Sequence, residues 1–315
     1  MSKPATSNLL ISIVLCTYNN ADSLYKTLQD IAANVVDSGL VELIVINNNS
    51  PDHTAQVVQE LKPTFKFPCR YYVESNQGLS HARNLGLAKA QGEYILFTDD
   101  DAIINNNWLS IYIDKIHKLN PDCIFSKIIV DWQGRKPEWF LPNYTPFFAA
   151  IDYGEEELQI TDREHEFYGK NFCIRQQLLH DFGGFDPSLG RCGDKLVAGE
   201  ETIIYSKLIN SKAKVIYTPN AGVLHRLKER EFQFDNIKKM FVDSAYTIFN
   251  LSKLSHGKKL FNRPLYPLKF AIQELTSGLH TLFQGTVKRN INLKLLSRLK
   301  LSRVKELLVV WFNNP

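Results

Sequence analysis

The sequence predicts an α/β protein, with a Rossmann-like, mostly parallel central sheet flanked by helices and a helical C-terminal extension. Three observations predict it. Short β-branched apolar runs alternate with segments of helical period in the N-terminal third, each run ends in a polar cluster, and the chain from residue 226 onward is helical in pattern and strongly basic.

Taken in order, LISIVLC (10–16) is a buried-type strand, followed by the loop TYNNADS and a helix with apolar positions at Leu24, Leu28 and Ile31. VELIVINNNS (41–50) is a second strand ending in asparagines, with a helix through Ala55, Val58 and Leu61 behind it. CRYYVES (69–75) is the third, and Gly78 and Gly92 bracket the helix after it. The fourth, EYILFTDDD (93–101), runs directly into three carboxylates. In open α/β sheets ligands bind beyond the carboxyl ends of the strands. Those ends read CTYNN, NNNSPD, ESNQG and TDDD, so they converge on one polar site. Farther on, WQGRKPEWFLPNYTPFF (132–148) has the prolines and tryptophans of a loop or lid, and residues 167–225 return to mixed strand and helix signals. The pattern divides the chain into residues 1–230 and a basic, mainly helical region over 231–315.

With 315 residues, 44% hydrophobic and 22% charged, the chain can bury a sizeable core, which excludes a disulfide-stapled miniature and a disordered chain. Its five cysteines (Cys16, Cys69, Cys123, Cys173, Cys192) are widely spaced without a CxxC pair, as reduced, buried thiols would be. No run of 18 apolar residues occurs, and MSKPATSNLL lacks the basic flank and cleavage site of a signal peptide, so a cytoplasmic protein is expected. The net charge of +4 is uneven: residues 226–315 carry 17 Lys and Arg against 6 Asp and Glu, a net +11, leaving −7 for residues 1–225. LKLLSRLKLSRVKELLVVWF (293–312) has the pattern of an interfacial amphipathic helix, so the basic region either docks peripherally on an anionic membrane surface or packs on the main domain. No helix-turn-helix, zinc or aromatic RNA-binding signature supports a nucleic-acid partner.

Asp99, Asp100 and Asp101 at the mouth of a buried strand would repel one another, so something positive belongs there. Oxygen ligation by few protein groups suits Mg²⁺ or Mn²⁺ shared with a substrate phosphate. The alternative from the residues alone is an acidic cluster in water at a helix start.

Five blocks, in order, carry a resemblance: IVLCTYNNADSL (13–24), IVINNNSPDHT (44–54), ESNQGLSHARNLGLAKAQGEYILFTDDD (74–101), YGKNFCIR with GGFDPSLG (168–190), and AGEET with AGVLHR (198–202, 221–226). The chain resembles the inverting family-2 glycosyltransferases of the nucleotide-diphospho-sugar transferase (GT-A) fold over about residues 10–230. The resemblance implies that Thr17, Tyr18 and Asn19 form the first-strand loop around the nucleotide base, with Asn48 as a base contact. It implies Arg83 near the donor phosphates, and Asp99, Asp100 and Asp101 as an Asp-X-Asp motif on the donor in which Asp99 meets the ribose and, with Asp101, holds the metal, Mn²⁺ or Mg²⁺. His225 would complete the metal site. Glu201 falls where the family has its catalytic Asp, and Glu200 competes for that role. Asn47 stands where members commonly have Asp. GGFD reads as structural, with Gly183 and Gly184 in a tight turn and Phe185 packed beneath the acceptor region.

The implied donor is a nucleoside-diphosphate sugar, a UDP-sugar first, and the acceptor a glycan or lipid-linked hydroxyl in surface polysaccharide or glycolipid synthesis. Acceptor contacts are expected from residues 132–148 and the basic region. The absence of a Gln-X-X-Arg-Trp motif and of multiple membrane spans points to a non-processive enzyme. Two rivals remain: a sugar-nucleotide or glycan binding protein without turnover, and a nucleotidyltransferase, for which CTYNNADS lacks the glycines of a triphosphate loop.

Overall fold

The computed structural model describes residues 9–34, 36–193, 196–254 and 257–314. Its N-terminal run is β1 (Ile11–Thr17), α1 (Ala21–Ala32), β2 (Val41–Asn47), α2 (Thr54–Leu61), β3 (Cys69–Val73), α3 (Leu79–Lys89) and β4 (Tyr94–Asp99). β1 and β2 are buried along their whole length, which is why they read as unbroken apolar runs rather than alternating ones. There follow β5 (Ala102–Ile103), α4 (Trp108–Leu119), β6 (Cys123–Asp131), β7 (Leu158–Ile160), β8 (Asn171–Arg175), α5 (Gln176–Asp181), α6 (Glu200–Asn210) and β9 (Val215–Arg226).

All nine strands form one sheet, ordered β3-β2-β1-β4-β8-β6-β9-β5, with β7 also paired to β9. The β3-β2-β1-β4 half is parallel, as expected. The other half is mixed. β8 runs antiparallel to both β4 and β6, because no crossover helix precedes it to return the chain in the parallel sense. That reversal sets the residues before β8 against the carboxyl end of β4.

The chain divides into two compact units, the first made of residues up to Trp132 with Phe148–Pro187 and Glu200–Leu227. The second gathers Gln133–Phe147, Ser188–Gly199 and Lys228–Pro315. It contains α7 (Phe234–Leu254), a hairpin of β10 (Lys259–Leu260) and β11 (Arg263–Pro264), α8 (Tyr266–Val287) and α9 (Ile291–Asn313). Ala245, Ala271, Val304 and Leu307 form part of its core, and Trp311 Nε1 donates to the Pro264 carbonyl at 2.8 Å.

One expectation is corrected here, and of the two alternatives for residues 293–312 the structure shows packing. The aromatic segment 132–148 is no bare loop or lid: Pro142–Phe148 is a 3₁₀ helix, and Tyr144 and Phe147 pack on Phe241, at ring distances of 6.0 and 4.6 Å. Its aromatics serve packing because prolines confine the backbone to a tight helix whose rings project as a cluster. The apolar side of α9 faces inward, with Leu296, Leu299, Leu307, Val310 and Trp311 buried. The uncovered stripe belongs instead to α8, where Ile272, Leu275, Leu279, Phe283 and Val287 recur at helical spacing and are exposed, Phe283 by 66%. Among the described residues no helix is long and apolar enough to cross a membrane.

Candidate active site

The parallel pairing of β1 with β4 sets Cys16 beside Asp99, so the next residues of each strand meet in space. Thr17 Oγ1 donates to Asp100 Oδ2 at 2.7 Å and Asn20 Nδ2 to Asp100 Oδ1 at 2.6 Å. Asp100 is therefore a buried strap between the first-strand loop and the turn after β4. The structure shows it holding the loop that contains Tyr18 and Asn19.

Asp99 and Asp101 meet different partners. Lys170 reaches them with its ammonium, bonded to Asp101 Oδ1 and 3.4 Å from Asp99 Oδ2. Burial works against the charge of Lys170, but Asp101 and Asp99 outweigh it and raise its pKa. His225 comes from β9, which pairs Ala102 with His225 across β5. Its Nδ1 lies 2.9 Å from the Phe148 carbonyl, which can only accept, so Nδ1 carries the proton. Nε2, 3.5 Å from Asp101 Oδ2, is then the nitrogen available to a metal.

Arg83, on α3, is 2% exposed and ties the site together. Its NH1 donates to Glu200 Oε1 at 2.9 Å and to Glu201 Oε1 at 2.8 Å, while NH2 lies 3.7 Å from Asp99 Oδ1. Its guanidinium stands over Phe185, 5.5 Å from the ring centre, and Phe185 packs edge-on against Phe97. Burial opposes the charge of Arg83, but Glu201, Glu200 and Asp99 raise its pKa above the ordinary value. The Gly169 N–H donates to Glu201 Oε1 at 3.0 Å, and a Cβ at that position would overlap Arg83 and Glu201. Only glycine lets the backbone come this close.

The two glutamates are not equivalent. The Glu200 side chain is 3% exposed and that of Glu201 12%. Burial, then the charge of Glu201, against the opposing pull of Arg83, pushes Glu200 up to about 8. Its Oε2 is buried with no hydrogen-bond partner among the described residues.

In the loop after β1 Tyr18 is exposed, and Asn19 has φ +49° with its N–H on Ser50 Oγ at 3.0 Å. Asn48 spends its amide on the β3–α3 loop: Nδ2 donates to the carbonyls of Glu74 and Asn76, and Oδ1 accepts from Gly78 N at 2.7 Å. Asn47 donates to Tyr71 Oη at 2.7 Å. All the residues singled out in the sequence thus lie at the carboxyl end of the sheet, with Asn48 and Asp100 engaged in shaping its loops.

Lys170 and Gly169 were not singled out from the sequence, although the block YGKNFCIR contains both. The available signal was a lysine entering an apolar strand, where a charge needs a counter-charge. The carboxyl groups of Asp99, Asp100, Asp101, Glu200 and Glu201 outnumber the permanent cations, Arg83 and Lys170, even with Glu200 protonated. Carboxylate oxygens plus an imidazole nitrogen are donors that suit Mn²⁺ or Mg²⁺, so these residues fit a divalent cation.

A Rossmann-like mixed sheet flanked by helices, with a helical C-terminal region, is the architecture of GT-A proteins. The sequence pattern of glycosyl transferase family 2 matches residues 12–183, more than half of the chain. The protein belongs to that family and is a glycosyltransferase. It is 26% identical over 235 residues to a glucosyl-dolichyl phosphate glucuronosyltransferase of Haloferax volcanii, covering 71% of this chain and 72% of that protein. It is 24% identical over 253 residues to the succinoglycan biosynthesis protein ExoM of Rhizobium meliloti, covering 79% and 77%. Among solved structures, the mannosyltransferase PcManGT of Pyrobaculum calidifontis, in complex with GDP-Man and Mn²⁺, matches with a TM-score of 0.62 at 15% identity, over 96% of this chain and 86% of that one. S. aureus TarS (1–349) matches with a TM-score of 0.56 at 16% identity, over 96% and 90%. These likenesses show the shared fold.

Proposed function

We propose that this glycosyltransferase is inverting, non-processive and dependent on a divalent cation, moving one sugar from a nucleoside-diphosphate donor to a hydroxyl of a glycan or lipid-linked acceptor. The observation that carries the proposal is the reach of Arg83. One buried guanidinium touches Glu201 and lies beside Asp99, so the carboxylate that would take a proton sits next to the one on the donor side. The relatives in glycolipid and polysaccharide synthesis, and the GDP-Man and Mn²⁺ bound to PcManGT, support the substrate class.

In this scheme Thr17, Tyr18 and Asn19 flank the base, and Asp99 faces the ribose. Asp101 and His225 Nε2, with Asp99, would hold the cation, which when bound supplies Lewis-acid neutralisation of the diphosphate. Glu201, the more exposed glutamate, accepts the proton of the acceptor hydroxyl as that oxygen attacks the anomeric carbon. The new C–O bond forms opposite the breaking bond to phosphate, and the nucleoside diphosphate leaves with the electron pair. The configuration inverts. Arg83 holds Glu201 in orientation, while Glu200, pushed up to about 8 by burial and by the charge of Glu201, is unsuited to the same task.

The donor is tested by thermal shift with UDP-, GDP- and dTDP-sugars and Mn²⁺, since a ligand that binds the native state raises its apparent stability. One donor is expected to raise the melting temperature only with the metal present. Asp101→Asn should abolish the metal-dependent part of that shift; an equal shift with and without Mn²⁺ in the native protein contradicts the proposal.

The lipid-linked acceptor class is supported by the second unit. Besides the α8 stripe, Phe261 in the hairpin that precedes α8 in the chain is 82% exposed and has Lys258, Lys259 and Arg263 close to it in sequence, within the region of net charge +11. Exposed apolar side chains rimmed by basic ones match an anionic lipid surface. The full chain should float with vesicles containing phosphatidylserine and remain unbound to purely zwitterionic ones, and Leu279→Glu with Phe283→Glu should abolish flotation. A chain that ignores anionic vesicles, or one that dimerises through α8 instead, removes the membrane from the proposal.

A further inference from the structure

We infer that Lys170 is a resident cation of the donor-free site, which a divalent ion must displace from Asp101, so that metal and donor diphosphate bind cooperatively. The register of β8 against β4 pairs Asn171 with Thr98, which sets Lys170 opposite Asp99 at the carboxyl end of the sheet. The Lys170 side chain is 3% exposed, and its ammonium lies on both Asp101 and Asp99. Among the described residues no three His, Cys, Asp or Glu side chains are arranged to hold a metal. Asp101 Oδ1 is instead bonded to the Lys170 ammonium.

An ammonium and a divalent ion repel each other, so they cannot share Asp101 Oδ1. The backbone of the neighbouring Gly169 is fixed on Glu201, which anchors the turn and leaves the flexible stem of Lys170 to move. Withdrawn from Asp101, the ammonium has lost the nearer of its two carboxylate partners in a buried site, and the phosphate oxygens of a bound nucleotide supply another. Each ligand thereby favours the other, as linkage requires. The nucleotide half of this inference rests on the proposed function; the competition between Lys170 and the metal does not.

The test is Mn²⁺ titration of the full chain, followed by electron paramagnetic resonance of the free ion, with and without UDP. In the absence of nucleotide Lys170→Met and Lys170→Gln should bind Mn²⁺ about tenfold or more tightly than the native protein, because a competing charge within about 4 Å has been removed. Lys170→Arg, which keeps the charge, should stay weak. The gain in Mn²⁺ affinity on adding UDP should be smaller in the neutral variants than in the native chain. Equal Mn²⁺ affinity in the native and Gln forms overturns the inference, as does loss of Mn²⁺ binding in a Gln variant whose circular dichroism is native. If the Met form does not fold, the Gln and Arg forms decide. A protein that transfers no sugar yet shows the gain in the Gln variant would sink the proposed function and leave this inference standing.

Discussion

Glu201→Gln should lower turnover by ~10²–10⁴ while leaving donor affinity essentially native, as expected for the loss of a general base. The substitution keeps the shape of the side chain, and an amide oxygen can still accept from the Gly169 N–H and from Arg83, so the site is not expected to collapse. What disappears is the lone pair that takes the proton. Glu200 cannot replace it, since it is the deeper of the two and is pushed up to about 8 by burial and by its neighbour. Removing the charge of Glu201 lowers the Glu200 pKa, because a repelling carboxylate has gone, yet it does not move Glu200 toward the acceptor. Single-turnover product formation with the donor found by thermal shift measures the effect. Native turnover in the Gln variant would remove Glu201 from the base role, and a donor affinity that falls in parallel would make it a binding residue.

How much of this was legible in the sequence follows from how local each signal is. β1, β2 and β4 are buried nearly along their whole length and stand out as apolar runs with polar ends, and those ends lie together in the structure. The reversal of β8 was not legible, because its partners lie far away in sequence and direction leaves no mark on composition. Lys170 was hidden for the same reason, since its carboxylates are some 70 residues away. The basic tail shows a different failure. The stripes of α8 and α9 look alike in sequence, and the covered faces follow from packing: Gly285 on α8 admits the backbone of α9 so closely that a Cβ there would lie 3.0 Å from Lys294 N. Arg303 also reaches the buried Glu274 of α8. That close side of α8 faces its neighbour, so the opposite stripe is left open. Arg83 illustrates the middle ground, where the family resemblance placed it near the phosphates and the structure ties it to both acidic pairs.

Arg83→Met is expected to destabilise the fold by about 3–5 kcal/mol, the usual cost of leaving a buried ionic partner uncompensated. The methionine fills much of the apolar stem volume over Phe185, so the loss is chiefly electrostatic. Glu200 is pushed up to about 8 even with Arg83 present, and without the guanidinium that pulls it down its pKa would rise further. Below about pH 8 Glu200 keeps its proton in both folded proteins, so its titration adds little to the difference between them. Above that pH the folded native protein releases the proton that the folded variant retains, so the variant goes on losing stability as the pH rises. The gap between native and variant proteins should therefore be wider at about pH 9 than at about pH 6 in urea unfolding with chelator present. Arg83→Lys should fall between them, because a single ammonium cannot reproduce the fork that spans Glu200, Glu201 and Asp99. A gap that is the same at both pH values would assign the loss to packing, and a variant as stable as the native protein would mean that the acidic pairs do not depend on Arg83. In the first case the link between the two halves of the site, which places the proton acceptor beside the donor, would need another residue to carry it.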